Sequence, residues 1–150
     1  MNENTREVTN ENMEEEVVTE EVVPEPTYVD YETFRSMDMR MGTIRFVEPV
    51  EGADKLLRFL IDFGPAVATM EYTDDATGTT YPVRQIVSGI REYYPDNYTE
   101  LVGKTLLYII NLEPRMIRGV ESQGMLMAVG EGAPVFVVPE TEVESGSAIR

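Results

Sequence analysis

The sequence predicts an all-β fold with a small helical part, arranged as a five-stranded Greek-key barrel, and three observations predict it. Strand-length apolar runs recur over residues 39–47, 56–63, 79–87, 105–110 and 125–129. A short tyrosine-bearing segment, read as a helical plug, separates the third run from the fourth. No alternation of strands with long helices signals a parallel crossover sheet.

Taken in order, residues 1–26 are rich in Glu, Asn, Thr and Val and close on Pro24-Glu25-Pro26. Like-charge repulsion and few large apolar groups predict a disordered acidic tail there, leaving residues 27–150 as the folded domain with a C-terminal extension. Asp30 is placed to cap a short helix over 31–37, with Glu32 where negative charge suits a helix start. Phe34 and Met37 would share a face and close one end of the core. The first strand alternates imperfectly, and Gly42 is read as marking a bend at a barrel corner. Residues 48–55 carry turn chemistry, and the second strand places Arg58 and Asp62 on its wetter side. After Gly64-Pro65, residues 66–80 suggest a protruding hairpin with a polar tip, whose return arm becomes the third strand. Tyr93, Tyr94 and Tyr98 would plug one end of the barrel rather than stack on bases, and Pro95 interrupts any helix there. Residues 135–138 form a last extended piece before a tail that begins at Pro139.

Composition removes several kinds of chemistry. The 150 residues include no cysteine and no histidine. Ser-His and Cys-His nucleophile pairs and Cys/His zinc sites are therefore excluded, and no EF-hand spacing supplies an all-oxygen site. Neither a cofactor nor a metal is expected. In the run from Gly119 to Gly124 around Ser122, a nucleophile elbow would need glycine where Val120 stands. No catalytic residue is expected. The first residues lack a secretory pattern and no run reaches the length of a membrane span, so the expectation is an intracellular, cytoplasmic protein away from membranes. Net charge is −16, shared equally: −8 over residues 1–26 and −8 over 27–150. Ten of the 12 basic residues are arginine. Adaptation to a saline cytoplasm and simple drift both fit that balance.

The most informative segment is 111–124, a polar, Arg-bearing stretch between two apolar strands. Pro114 cannot continue a ladder, and long unstructured loops in small domains usually carry function. The strand pattern describes a barrel of the OB type, in which the face of the second and third strands, with the loops after the first and fourth, binds oligonucleotides. Those loops fall at 48–55 and 111–124. A general negative field opposes such a ligand, but screening over about 8 Å leaves the decision to local charge. Arg40, Arg58 and Arg84 on the strands, with Lys55 at the first loop, would supply a positive groove on converging.

Five ordered blocks then carry a family likeness: residues 31–42, 53–57, 84–90, 101–104 and 111–125. Together they resemble the stand-alone tRNA-binding domain, which also occurs as the C-terminal appendage or beta subunit of methionyl-tRNA synthetases. The likeness covers about residues 30–150, apart from the 66–80 hairpin. It implies an OB-fold homodimer that grips the shape of tRNA without chemistry of its own, alone or in trans with a synthetase catalytic subunit. It also transfers the binding role onto Asn111, Arg115, Arg118, Ser122, Gln123 and Met125. Arginines can fork onto phosphates, Ser122 and Gln123 can bond phosphate or 2′-hydroxyl oxygens, and Met125 can support a base or sugar. The plainer roles stay open, with Met125 in the core and Ser122 serving loop hydrogen bonds. Glu113 and Met116 stand where the family usually has basic residues. A related export chaperone shares the barrel and its dimer, and Ile61-Asp62-Phe63-Gly64 fits that branch too. An acidic scaffold without RNA binding is favoured only by the charge.

Overall fold

A computed structural model describes residues 23–150, so most of the expected acidic tail lies outside the described residues. The chain divides into a unit ending at Tyr31 and a second, Glu32–Arg150, that carries the sheet. Residues 23–30 are without helix or strand.

Helix α1 (Tyr31–Ser36) has Glu32 in its first turn and Arg35 in its last, both favourable to the helix dipole. It buries none of its residues, so the expectation that Phe34 and Met37 close the core does not hold. Leu101, with Tyr94 and Tyr98 packed beside it, joins the core instead.

The main sheet is antiparallel. Its strands are β1 (Met39–Pro49), β2 (Leu57–Asp62), β3 (Met70–Asp74), β4 (Thr79–Ser88), β5 (Thr105–Ile109) and β8 (Met125–Leu126), in the order β3-β4-β2-β1-β5-β8. Two small ladders complete the set: β6 (Arg115–Ile117) with β7 (Val120–Ser122), and β9 (Ala128–Val129) with β10 (Val135–Phe136). Register decides which side chains point inward. Val47, Phe59 and Ile86 stand opposite one another and all belong to the core, whereas the neighbouring row of Glu48, Arg58 and Val87 takes the outer face.

The core joins Ile44, Leu57, Phe59, Ile61, Ile86, Leu101, Leu106 and Tyr108 among others. Fully burying each such aliphatic side chain contributes about 1.5–3 kcal/mol. Short 3₁₀ turns, Arg91–Tyr93 and Tyr98–Leu101, supply the plug through Leu101, Tyr94 and Tyr98. Tyr93 stays largely outside.

Three details depart from the sequence reading. The bend in β1 is a bulge between Ile44 and Phe46, not at Gly42. Gly42 is instead a close approach, because a Cβ there would collide with the Phe63 ring and lie 2.6 Å from Ile61 Cγ2. Asp62 is not on a wet side but 7% exposed, accepting from Gly64 N–H at 2.8 Å and pairing with Arg45 at 3.1 Å. The fifth run breaks at Met127 into β8 and β9, and β9 leaves the main sheet to pair with β10.

Closure comes from two segments. Gln123 N–H donates to Gln85 O at 2.8 Å and Val87 N–H donates to Ser122 Oγ at 3.0 Å, fastening the loop after β7 to β4. The C-terminal extension runs beside the first half of β1, with Ser147 O, Gly146 N–H and Ile149 N–H bonded to the backbone of Met41 and Met39.

Candidate nucleic-acid interface

The stretch after β5 is not an unstructured loop but contains the β6–β7 hairpin. Its two-residue tip, Arg118-Gly119, has both residues at positive φ, 51° and 81°. This is the mirror-image turn whose twist suits adjoining antiparallel strands. Glycine adopts it freely, whereas an arginine there costs about 1–2 kcal/mol. The hairpin therefore holds Arg118 at its apex against a local preference. Register places Arg115 opposite Ser122, Met116 opposite Glu121 and Ile117 opposite Val120. Ile117 and Val120, with Leu56, pack on Val50, Ala53 and Val87, which seats the hairpin over the outer face of the sheet beside the β1–β2 turn.

Two hollows flank the hairpin and meet at Ile117. One runs from the β1–β2 turn, with Lys55 and Asp54, to Arg118. The other is bordered by Leu112, Glu113, Arg115 and Met125. Met125 is 48% exposed and Met116 64% exposed, so both add apolar surface and Met125 is not a core residue.

The expected site residues separate into two groups. Lys55, Arg115, Arg118 and Met125 are brought to the hollows, and Ser122, though buried, lines the second of them. The three ion pairs among the described residues involve Arg40, Arg45 and Arg58, and none uses Lys55, Arg115 or Arg118. The others are engaged within the fold. Arg40 holds Asp38 at 2.7 Å. Asn111 accepts from Asp38 N–H at 2.8 Å and donates to Ser36 O at 2.7 Å, fastening the exit of α1. Arg84 donates to Ile110 O at 2.9 Å. Burial, with Arg40 nearby and Asp38 opposing, lowers the Arg84 guanidinium from its ordinary value, and it remains a cation. Ser122 is 5% exposed, accepting from Val87 N–H and donating to Gly124 O at 3.0 Å. Gln123 Oε1 accepts from Thr69 and from Gln85 N–H, while its amide donates to Glu121. Arg58 stands between the groups, reaching Gln85 at 2.7 Å and Glu48 at 3.5 Å.

Sequence reasoning passed over Arg45 and the aromatic side chains around it. Arg45 lies 4.0 Å from the centroid of Tyr81, and Phe46 packs on Tyr72 at 5.3 Å. The β1 bulge turns Arg45 outward, and no periodic pattern announces a bulge.

Among the described residues no group of three or more acidic, cysteine or histidine side chains could hold a metal ion, and no helix is long and apolar enough to cross a membrane.

A small antiparallel barrel-like fold that carries, on the hairpin between β5 and β8, arginines without an ion-pair partner among the described residues has the architecture of the oligonucleotide-binding barrels. Residues 39–148 match the family described as "Putative tRNA binding domain", and the chain belongs to that family of non-catalytic binding modules. It is related to the tRNA-binding C-terminal domain of methionyl-tRNA synthetases. Over 138 residues, 91% of this chain, it is 37% identical to the methionine–tRNA ligase of Methanosarcina mazei. Over 124 residues, 81% of this chain, it is 38% identical to that of Porphyromonas gingivalis. It spans 16% of the length of each. Among solved structures, a MetRS-related protein from Pyrococcus horikoshii superposes with a TM-score of 0.65 at 28% identity, covering 83% of this chain and all of that one. The chaperone CsaA of Bacillus anthracis superposes over the same shares at 0.63 with 21% identity, a likeness of fold alone.

Proposed function

We propose that this protein binds tRNA through shape and backbone contacts, with Lys55, Arg115 and Arg118 meeting phosphates and Met125 supporting a sugar or base. The observation that carries this is the β6–β7 hairpin, whose two arginines have no ion-pair partner among the described residues while Arg40, Arg45 and Arg58 are neutralised. Paired guanidinium groups must give up a carboxylate before taking a phosphate; unpaired ones need not. Folded RNA is recognised by such phosphate and 2′-hydroxyl contacts without base reading.

The reading extends to an accessory role in the cytoplasm, alone or in trans with an aminoacyl-tRNA synthetase, with the relatives pointing to a methionyl enzyme. Binding tRNA beside a catalytic subunit raises its local concentration, which lowers the tRNA requirement without touching the chemical step. Filter binding of bulk tRNA tests the core of the proposal. Arg115→Ala and Arg118→Ala weaken binding, while Arg40→Ala, whose partner is Asp38, leaves the groove intact; equal effects from all three would contradict the assignment. With a methionyl-tRNA synthetase catalytic subunit lacking its own appendage, added protein lowers KM for tRNA at constant kcat. An unchanged KM contradicts the in-trans role.

A further inference from the structure

The inserted hairpin and the outer face of β1 and β2 carry a row of aromatic and guanidinium groups that the tRNA grip does not use. Phe46, Leu60 and Gln85 stand opposite one another on the outer face, next to the row of Glu48, Arg58 and Val87. Tyr72 and Tyr81 face each other across the β3–β4 hairpin. The Phe46 and Tyr72 rings lie 5.3 Å apart at 39°, the Arg45 guanidinium is 4.0 Å from the Tyr81 centroid, and that of Arg58 is 5.6 Å from the Phe46 centroid. All three rings are only partly buried.

We propose that Phe46, Tyr72 and Tyr81, flanked by Arg45 and Arg58, form a stacking platform that takes unpaired nucleotides of the bound RNA. The proposal rests on the RNA-binding reading above and adds the class of RNA element that this second surface recognises.

Position supports it first. This face is where an OB barrel meets its ligand, and it is continuous with the arginine hairpin. Arg58 donates to Gln85 Oε1, Gln85 donates to Glu121 O at 2.8 Å, and Gln123 N–H donates to Gln85 O, so β7 and the platform are tied through one residue. The hairpin that carries Arg115 and Arg118 packs on Val87, which shares the outer face with the rings, so one strand of RNA could meet both surfaces.

Charge supports it next. Asp62 and Glu48 balance Arg45 and Arg58, leaving the platform suited to flat, uncharged π surfaces rather than to phosphates. Every base offers a π face, which makes such a platform tolerant of sequence. A duplex keeps those faces covered by its own stacking, so only unpaired nucleotides can use it.

The chain has no tryptophan and eight tyrosines, so the part of the emission quenching that is lost in Tyr72→Phe and Tyr81→Phe reports stacking on these two rings. The full chain is titrated with a single-stranded RNA of about ten nucleotides, within the span of an OB barrel site, and with a blunt-ended RNA duplex. Single strand quenches tyrosine emission more than the duplex does. Tyr72→Leu weakens single-strand binding roughly 5- to 100-fold and leaves duplex binding unchanged, whereas Tyr72→Phe retains both. Equal loss on both RNAs, or no loss on either, would show that the rings only seat the hairpin and would overturn the platform while leaving the tRNA reading intact. Wild-type protein that binds no RNA ends both. Should Tyr72→Leu fail to fold, Tyr72→Phe and Tyr81→Phe still decide: each loses part of the quenching by single-stranded RNA if the rings stack on bases, and quenching equal to wild type in both overturns the platform.

Discussion

Single residues show the division between framework and proposed ligand surface most sharply. Arg118 occupies a left-handed conformation that costs an arginine about 1–2 kcal/mol, so Arg118→Gly leaves the melting temperature unchanged or higher while reducing RNA affinity. Thermal melting and filter binding moving in the same direction would contradict a binding role for that strained position. Tyr108 presents a second case. Its ring sits in the core edge-on to Phe63, and its buried hydroxyl has no hydrogen-bond partner among the described residues. An unsatisfied buried polar group costs about 1–3 kcal/mol, so Tyr108→Phe raises stability, an uncommon sign for a core substitution. Burial also pushes this phenol far above its ordinary value of 10.0. The folded state therefore holds the proton more tightly than the unfolded chain. The corresponding stability is fully present below pH 10 and is lost progressively as pH climbs beyond it. Urea titrations across that range show a smaller decline for Tyr108→Phe; parallel declines would refute the account of Tyr108.

At the scale of elements, Asn111 shows how a residue transferred by likeness acquires another explanation. Its side chain bridges Asp38 N–H and Ser36 O, so Asn111→Ala loses two hydrogen bonds worth about 0.5–1.5 kcal/mol each. A lowered melting temperature with tRNA affinity intact when compared below the transition is the expected outcome. The strands themselves were legible, because runs such as 56–63 and 79–87 carry apolar side chains at strand spacing that the observed register uses. The β6–β7 hairpin was not, since Met116-Ile117-Arg118-Gly119 has neither length nor alternation enough to separate it from a loop. Its identity depends on Ile117 and Val120 finding Val87 and Val50, contacts distant in sequence. The same applies to the site. Lys55, Arg115, Arg118 and Met125 are readable as residues of the two loops proposed to bind, but which arginines are already paired depends on carboxylates such as Asp38 and Asp62 that only the fold brings near.

For the whole molecule the question is how a chain of net charge −16 would hold the proposed polyanion. Distant carboxylates are screened beyond a Debye length of about 8 Å, so the cations next to the phosphates dominate the encounter. Asp54 and Glu113 border the same hollows and temper that attraction. The proposed binding is expected to be modest and dependent on salt, and Asp54→Asn and Glu113→Gln are expected to strengthen it by removing opposing charges that line the same hollows.

Salt dependence is the most direct test. With Lys55, Arg115 and Arg118 each releasing a counterion, the logarithm of the tRNA association constant falls with the logarithm of salt concentration at a slope of about −2 to −3. Arg115→Ala together with Arg118→Ala reduces that slope by about 2. A wild-type slope near zero, or a slope that the double substitution leaves unaltered, contradicts the claim that this hairpin holds the RNA.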